Sequence, residues 1–454
     1  MSVFFLVCVF LLGGSARSDV VSLPFLRSSA ILFGFWAASR MSGDDWRRVR
    51  LPLLFLLAAA LWMVLQLIPL PPDIWHALPG RGPIAEIDAL VGQEDLWRPL
   101  SLAPSETLNA LLGMAVPLAA LLLASQMSIE ETPRLMFAIL AIAVFSSIIG
   151  LAQIAAGPGS GAYLYRVTNT GAMVGLFANR NHHAVFLACA VIIVGMVLRD
   201  ELMRKRQRGA VKIGLLFAGT LLTAITIFTG SRAGLMTGVI GFTLAYLMVS
   251  FAWRARGSMP DRGRKGAAAG LSRLLIFVPP VILAALFAAA FWLTSRTTGL
   301  SRAIGEGVAG DLRVQAWATV QSLIETHWLF GSGFGSFPAV YKIFEPDNLL
   351  NDKYFNHAHN DWAEAVLTGG LPFVCILLAA FVWFGRRLVA LGARNLLKGQ
   401  RGDLRLTVGA IVLVLAAASF VDYPLRVPSL QAMTVVLVTL LCCPKPAKRP
   451  GDRA

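Results

Sequence analysis

The sequence predicts an all-α polytopic membrane protein: about 12 transmembrane helices and one large outer loop, in a single membrane domain over residues 1–454. Three observations carry that expectation. The chain has 454 residues, is 56% hydrophobic and only 14% charged, with mean hydropathy +0.68. A soluble chain is nearer a quarter charged. Apolar runs of about 17–23 residues recur along its length, as membrane helices require. These runs are continuous rather than alternating, which excludes a β-barrel.

The spans fall near 3–14, 23–38, 51–70, 108–125, 134–156, 182–198, 211–228, 232–252, 273–293, 362–384, 405–421 and 427–443. The first is short and resembles a signal segment with a Gly14-Ser15-Ala16 site. It lacks a basic leading region, which favours a helix. The clearest span, 51–70, carries no charge and a single Gln66. Alternate threading puts the basic blocks, among them Arg47/Arg48/Arg50, 199–212 and 386–405, on one side. The positive-inside rule makes that side cytoplasmic and places both termini there. Apart from basic residues at the very start of a span (Arg134, Lys212, Arg232, Arg273 and Arg405), Arg27 is the one Lys or Arg inside a span and reads as a snorkelling side chain.

Composition also excludes several function classes. The net charge of +15 is spent on these inter-span blocks, so it gives no nucleic-acid signal. All five cysteines (Cys8, Cys189, Cys375, Cys442, Cys443) fall in spans, so no disulfide framework is indicated. No phosphate-binding GxxxxGK[ST] loop occurs. The driving energy must then come from a gradient or from the substrate.

Three outer loops are sizeable: 71–107, 157–181 and 295–361. Within the last, the spacing predicts a helix over 311–325, capped by Asp311, with Leu312, Ala316, Val320, Leu323 and Ile324 on one face. Trp317 and Trp328 fit an interfacial position. Gly331-Ser332-Gly333-Phe334-Gly335 then reads as a turn, or less plausibly as a nest of N–H groups for an anion.

The loop closes on Phe355-Asn356-His357-Ala358-His359-Asn360-Asp361-Trp362, where a span begins. Ionisable groups beside hydrocarbon are costly and mark sites. All six histidines map to the outer side or its edge. Two further groups could converge with this one: Asn179-Arg180-Asn181-His182, and the short turn Thr229-Gly230-Ser231-Arg232-Ala233-Gly234. Arginine suits phosphate because its planar fork is always charged and binds bidentately. An imidazole nearby suits deprotonation of a hydroxyl. Blander readings stand beside these. Arg180 and Arg313 can be interfacial anchors, His182-His183 an interfacial pair, and Glu364 a helix N-terminal acid favoured by the dipole. His357, His359, His182, His183 and Asp361 could ligate a metal, though no standard spacing supports it.

Three segments resemble the O-antigen ligase and polysaccharide polymerase membrane family. Arg313 and Trp317, followed by His327-Trp328-Leu329-Phe330-Gly331-Ser332-Gly333, resemble its Arg-x-x-x-Trp helix and Gly-x-Gly turn. His359-Asn360, nine residues, then Gly370 resemble its loop-closing signature, and Gly230-Ser231-Arg232-Ala233-Gly234 resembles its short Arg turn. The ligase pattern departs at Val374, which leaves ligase and polymerase both open. The resemblance implies metal-independent, cofactor-free glycosyl transfer on the periplasmic face of the bacterial inner membrane. The donor would be a glycan on undecaprenyl diphosphate. The acceptor would be a lipid-A core sugar of lipopolysaccharide, a second lipid-linked glycan, or a protein hydroxyl. Arg232 and Arg313 would face the departing diphosphate, and His359 would activate or orient the acceptor. Asn360 would hold that histidine or the glycan, with Arg180 and His357 as supporting substrate-binding residues. The competing classes are a lipid-linked glycan flippase and a non-catalytic subunit of an export complex.

Overall fold

A computed structural model describes residues 1–204, 206, 208–257, 285–286, 289, 309–350, 355–393 and 400–445. The described chain is helical, apart from a ribbon of β1 (Pro69–Leu70) and β2 (Arg98–Pro99), paired antiparallel with Pro69 opposite Pro99. Helices cover eleven of the twelve expected spans, and the remaining stretch, 273–293, lies outside the described residues except for Ala285, Leu286 and Ala289. They are α1 (Ser2–Leu12), α2 (Leu23–Ser39), α3 (Gly43–Gln66), the broken pair α6 (Pro104–Gly113) and α7 (Ala115–Ala124), α8 (Thr132–Ala156), α9 (Arg180–Met203), α10 (Gly209–Phe228), α11 (Arg232–Gly257), α14 (Asp361–Ala393), α15 (Gln400–Ala418) and α16 (Pro428–Cys442). Between them lie α4 (Pro72–His76), α5 (Gly82–Leu90), α12 (Ala309–His327) and α13 (Phe337–Ile343). Six stretches are long and apolar enough to cross a membrane, so the chain is a multi-pass membrane protein.

α9 forms the centre. It is buried on every face from Asn181 to Met196, as a helix apolar all round must be. It packs on α8, α10, α11 and α15. Small residues let α11 approach it closely: Gly195 faces Ala245, and Gly241 faces the Ala188 carbonyl, each with under 3 Å of room for a methyl group. The expectation that His182-His183 is an interfacial pair is corrected here. Both lie in this interior, 1% and 0% exposed.

The large loop builds a second, smaller core. α12 starts two residues earlier than the spacing predicts, and its Ala316, Val320 and Leu323 pack on Phe337, Tyr341 and Leu367. The Leu312 and Arg313 side chains lie outside the described part of that helix. Trp317 and Trp328 are exposed, as an interfacial role requires.

Gly370, at φ 64 and ψ −171, breaks α14 in a region open to glycine alone. The turn after α12 docks into this kink. Ser332 and Gly333 N–H donate to the Leu367 and Thr368 carbonyls (2.8 and 3.1 Å), and Leu371 N–H donates to Trp328. A Cβ on Gly370 would meet Gly331 N and Phe330 C at 2.5 Å. Two of the N–H groups considered for an anion are thereby engaged in packing. Gln66 ties α3 to the same junction through Phe330, Thr368 and Phe334.

Candidate functional site

The loop-closing histidines meet a turn that the sequence reading passed over, 422–426 between α15 and α16. His359 has φ 52, the only positive φ outside glycine among the described residues. Such backbone costs about 1–3 kcal/mol and persists where its surroundings impose it. Here the surroundings are plain on both sides. Ala358 N–H donates to Glu364 Oε2 (2.9 Å). Asn360 Oδ1 accepts from Trp362 and Ala363 N–H, both 3.0 Å, capping α14. Fixed at both ends, the chain turns His359 toward Asp422, with Nδ1 3.6 Å from Oδ1. His182 Nε2 approaches the same oxygen at 3.8 Å.

Asp422 is fully buried. Burial opposes its ionisation, but the two histidines outweigh that cost and hold its carboxyl well below the usual carboxylate range. At 3.6 and 3.8 Å these are electrostatic contacts that draw both rings toward the carboxylate, longer than hydrogen bonds.

Beside this pair lies an ion network. His357 Nδ1 is 3.0 Å from Glu364 Oε1. Arg426 reaches Glu364 and Asp361, both at 3.2 Å. Asp361 also accepts from Ser419 Oγ (3.0 Å) and Leu425 N–H (3.2 Å). Glu364, read from sequence as a dipole-favoured helix acid, is instead the fully buried anchor of His357, Ala358 and Arg426. Tyr423 stands at the middle, its ring 4.3, 5.0 and 4.9 Å from those of His357, His359 and His182. Asn179 and Asn356 donate to its hydroxyl at 3.5 and 3.4 Å.

Asn179 and Arg180 open α9, and Arg180 Nη1 lies 3.5 Å from where a Cβ on Gly230 would sit. Arg180 and the Arg232 turn therefore lie side by side, at the end of the bundle that carries Tyr423. The side chain of Arg313, on α12, lies outside the described residues. Among the described residues no three His, Cys, Asp or Glu side chains are grouped as metal ligands, so the metal arrangement of His182, His183, His357, His359 and Asp361 is not formed.

A cavity of about 830 Å³ opens beside the network. Its wall includes His357, Asp361 and Arg426, but not His359, Arg180 or Arg232. Arg27 lines it too, with Nη1 donating to Asn109 Oδ1 at 2.6 Å.

The sequence reasoning missed Asp422, Tyr423 and Arg426. The signal was present: Asp422-Tyr423-Pro424-Leu425-Arg426 puts two charges and a phenol in a short outer turn, the same anomaly that drew attention to Arg232.

The polytopic helical bundle thus gathers arginines, imidazoles and buried carboxylates at one end. Residues 215–378, about a third of the chain, match the family model described as Wzy_C, O-Antigen ligase, so this part of the chain is similar to that family. The matched segment contains Arg232, Arg313, His357, His359, Asn360 and Gly370 and ends before Asp422. That family comprises membrane glycosyltransferase-like enzymes, ligases and polymerases of glycans. No curated protein matches the chain.

Proposed function

We propose that this protein transfers a glycan from undecaprenyl diphosphate to an acceptor hydroxyl, at the periplasmic face of the bacterial inner membrane with both termini cytoplasmic. The observation that carries the reading is the pairing of His359 with the buried Asp422, beside the Arg180–Arg232 end of the bundle. His359 takes the acceptor proton as the hydroxyl attacks the anomeric carbon. The bond from that carbon to the diphosphate breaks, and the charge grows on the departing oxygens. Arg232 and Arg313, with Arg180 in support, stabilise that charge more in the transition state than in the ground state. His357 is held by Glu364 and lines the cavity, so it serves as a substrate contact. Asn360 acts at one remove: its side-chain oxygen caps α14, and this cap sets the backbone of His359. No nucleotide or metal takes part in this scheme.

The test compares His359→Ala and Arg232→Ala in cells, at membrane levels matched to the parent. Each is expected to lower glycan transfer by on the order of 10²–10³, by analogy with other charge-stabilising groups. Normal surface glycan in both variants rejects the proposal. Lipid-A core, free polysaccharide and glycoprotein are assayed in parallel, and the product that disappears identifies the acceptor.

A further inference from the structure

We infer that His182 is a positioning residue: from inside the bundle it shares the Asp422 carboxylate with His359, and the share it takes sets how readily His359 accepts a proton. The inference rests on the transfer reading above only for the use to which His359 is put.

The three buried acids of the site are answered differently. Asp361 and Glu364 face Arg426, a permanent cation. Asp422 has no Lys or Arg within ion-pair distance among the described residues. Its Oδ1 accepts from Tyr423 N–H at 3.0 Å, and its Oδ2 has no hydrogen-bond partner there. What remains to answer its charge is a pair of imidazoles, His182 at 3.8 Å and His359 at 3.6 Å, both directed at Oδ1. Coulomb energy falls with the inverse of distance, so the two rings have nearly equal claims on one oxygen. What one draws from the carboxylate is no longer felt by the other.

Burial assigns the two rings different tasks. The side chain of His359 is 14% exposed and that of His182 only 2%. Neither nitrogen of His182 has a hydrogen-bond partner among the described residues. An imidazole sealed in a helical bundle cannot touch a substrate, and leaving both of its nitrogens unbonded is costly. Its ring packs edge-on to Tyr423, at 4.9 Å and 77°, which holds Nε2 toward the carboxylate. His182 therefore acts on Asp422, and through it on His359.

The first turn of α9 makes this contact rigid. One turn before His182, Asn179 donates to the Tyr423 hydroxyl at 3.5 Å. Next to His182, His183 Nδ1 lies 2.9 Å from the Met173 carbonyl. The other charged groups around this turn are already placed. His357 is taken up by Glu364, and Arg180 lies beside the Arg232 turn of α11. α8 and α10 carry their only charged residues, Arg134 and Lys212, in their opening turns, away from the end where α9 begins. No other group of these elements competes with His182 and His359 for Asp422.

The direction of the effect follows. An anion beside an imidazole favours the charged ring. His182 blunts that anion, so His359 stays neutral to lower pH, and the neutral ring is the form that accepts a proton. Without His182 the whole pull falls on His359. Its ring then charges at higher pH, and the base is lost sooner on acidification.

The test uses purified full-length protein and two amides that differ in reach. Glutamine places an N–H near the position of Nε2, whereas asparagine falls short of Asp422. Transfer is measured across a pH series, and the His359 ring is titrated by ¹⁵N-histidine NMR on the same variants. In His182→Asn and His182→Phe the acid limb and the His359 midpoint are expected to move up by about 1 pH unit, a tenfold change in proton affinity, while His182→Gln stays within about 0.3 unit of the parent. Transfer by His182→Asn is expected to return toward the parent's rate at the alkaline end, which a purely structural role would not allow. Melting curves identify a variant that does not fold, and the folded one of the Asn and Phe pair carries the comparison. An unmoved midpoint, or a loss equal at every pH, overturns the inference. If His359→Ala still transfers glycan, the transfer reading fails by itself, and the NMR midpoints alone decide whether His182 tunes His359.

Discussion

Replacing Asp422 by Asn tests the chemistry most directly, because it removes a charge and almost no volume. Asp422 Oδ1 is 3.6 Å from His359 Nδ1 and 3.8 Å from His182 Nε2. At 3.6 Å and an effective dielectric constant of about 20, a carboxylate stabilises an imidazolium by roughly 5 kcal/mol. Water and side-chain adjustment can offset about half of that. The transition state, in which His359 carries the acceptor proton, should therefore rise by about 2–5 kcal/mol, roughly 30- to 5,000-fold in rate. The assay is transfer from a lipid-linked donor by purified protein across a pH series, with melting temperature measured on the same samples. The acid limb of the rate profile should also move to lower pH, since a neutral amide no longer favours the protonated ring. Asp422→Asn with a rate within about threefold of the parent and an unmoved profile would refute the argument, because a merely structural carboxylate would leave both unchanged in folded protein.

Two further predictions concern the scaffold. Gly370→Ala should cost at least about 1–3 kcal/mol in thermal stability, because a Cβ meets backbone at 2.5 Å and φ is 64; a melting temperature equal to the parent's would contradict the docked turn. His327 is buried beside Arg81, and burial, then that charge, holds its imidazole down to about 4 against an ordinary 6.5. The unfolded chain therefore binds a proton across that interval while the folded chain does not, so acidification from about 6.5 to 4 should weaken this junction by about 3 kcal/mol at most. Hydrogen exchange in α12 should increase over that interval in the parent and stay flat in His327→Gln.

The bundle was legible because hydrophobic runs of membrane length have few alternative folds. The helix after Asp311 was legible from its 3.6-residue spacing, and the structure buries Ala316, Val320 and Leu323 as that spacing requires. What could not be read was partnership across long stretches of chain. Glu364 is an ordinary first-turn acid until the fold brings Arg426 to it, 62 positions away. His182 was given an interfacial place because an imidazole at a span boundary is common there. Only the burial of α9 within the bundle shows it facing Asp422. The motif glycines carried the opposite lesson. Gly331 and Gly370 were visible as a pattern, but the reason for both is one contact, backbone against backbone, that no local spacing encodes.

Charge accounting separates the arginines by role. Arg426 faces two buried carboxylates, so it has no net charge to offer a diphosphate; its work is to keep Asp361 and Glu364 ionised together and thereby hold His357 and Ala358. A positive centre spent on internal acids gains little from an incoming anion, since the substrate would have to compete with charges already desolvated beside it. Arg27 faces no acid among the described residues, and Arg180 and Arg232 open two helices, where backbone N–H groups add to the favourable field for an anion. On the transfer reading proposed above, the cations suited to a departing diphosphate are thus those at helix starts. The cation nearest the histidines serves to fix them, which is why the network around Glu364 contains as many acids as it needs to hold one arginine still.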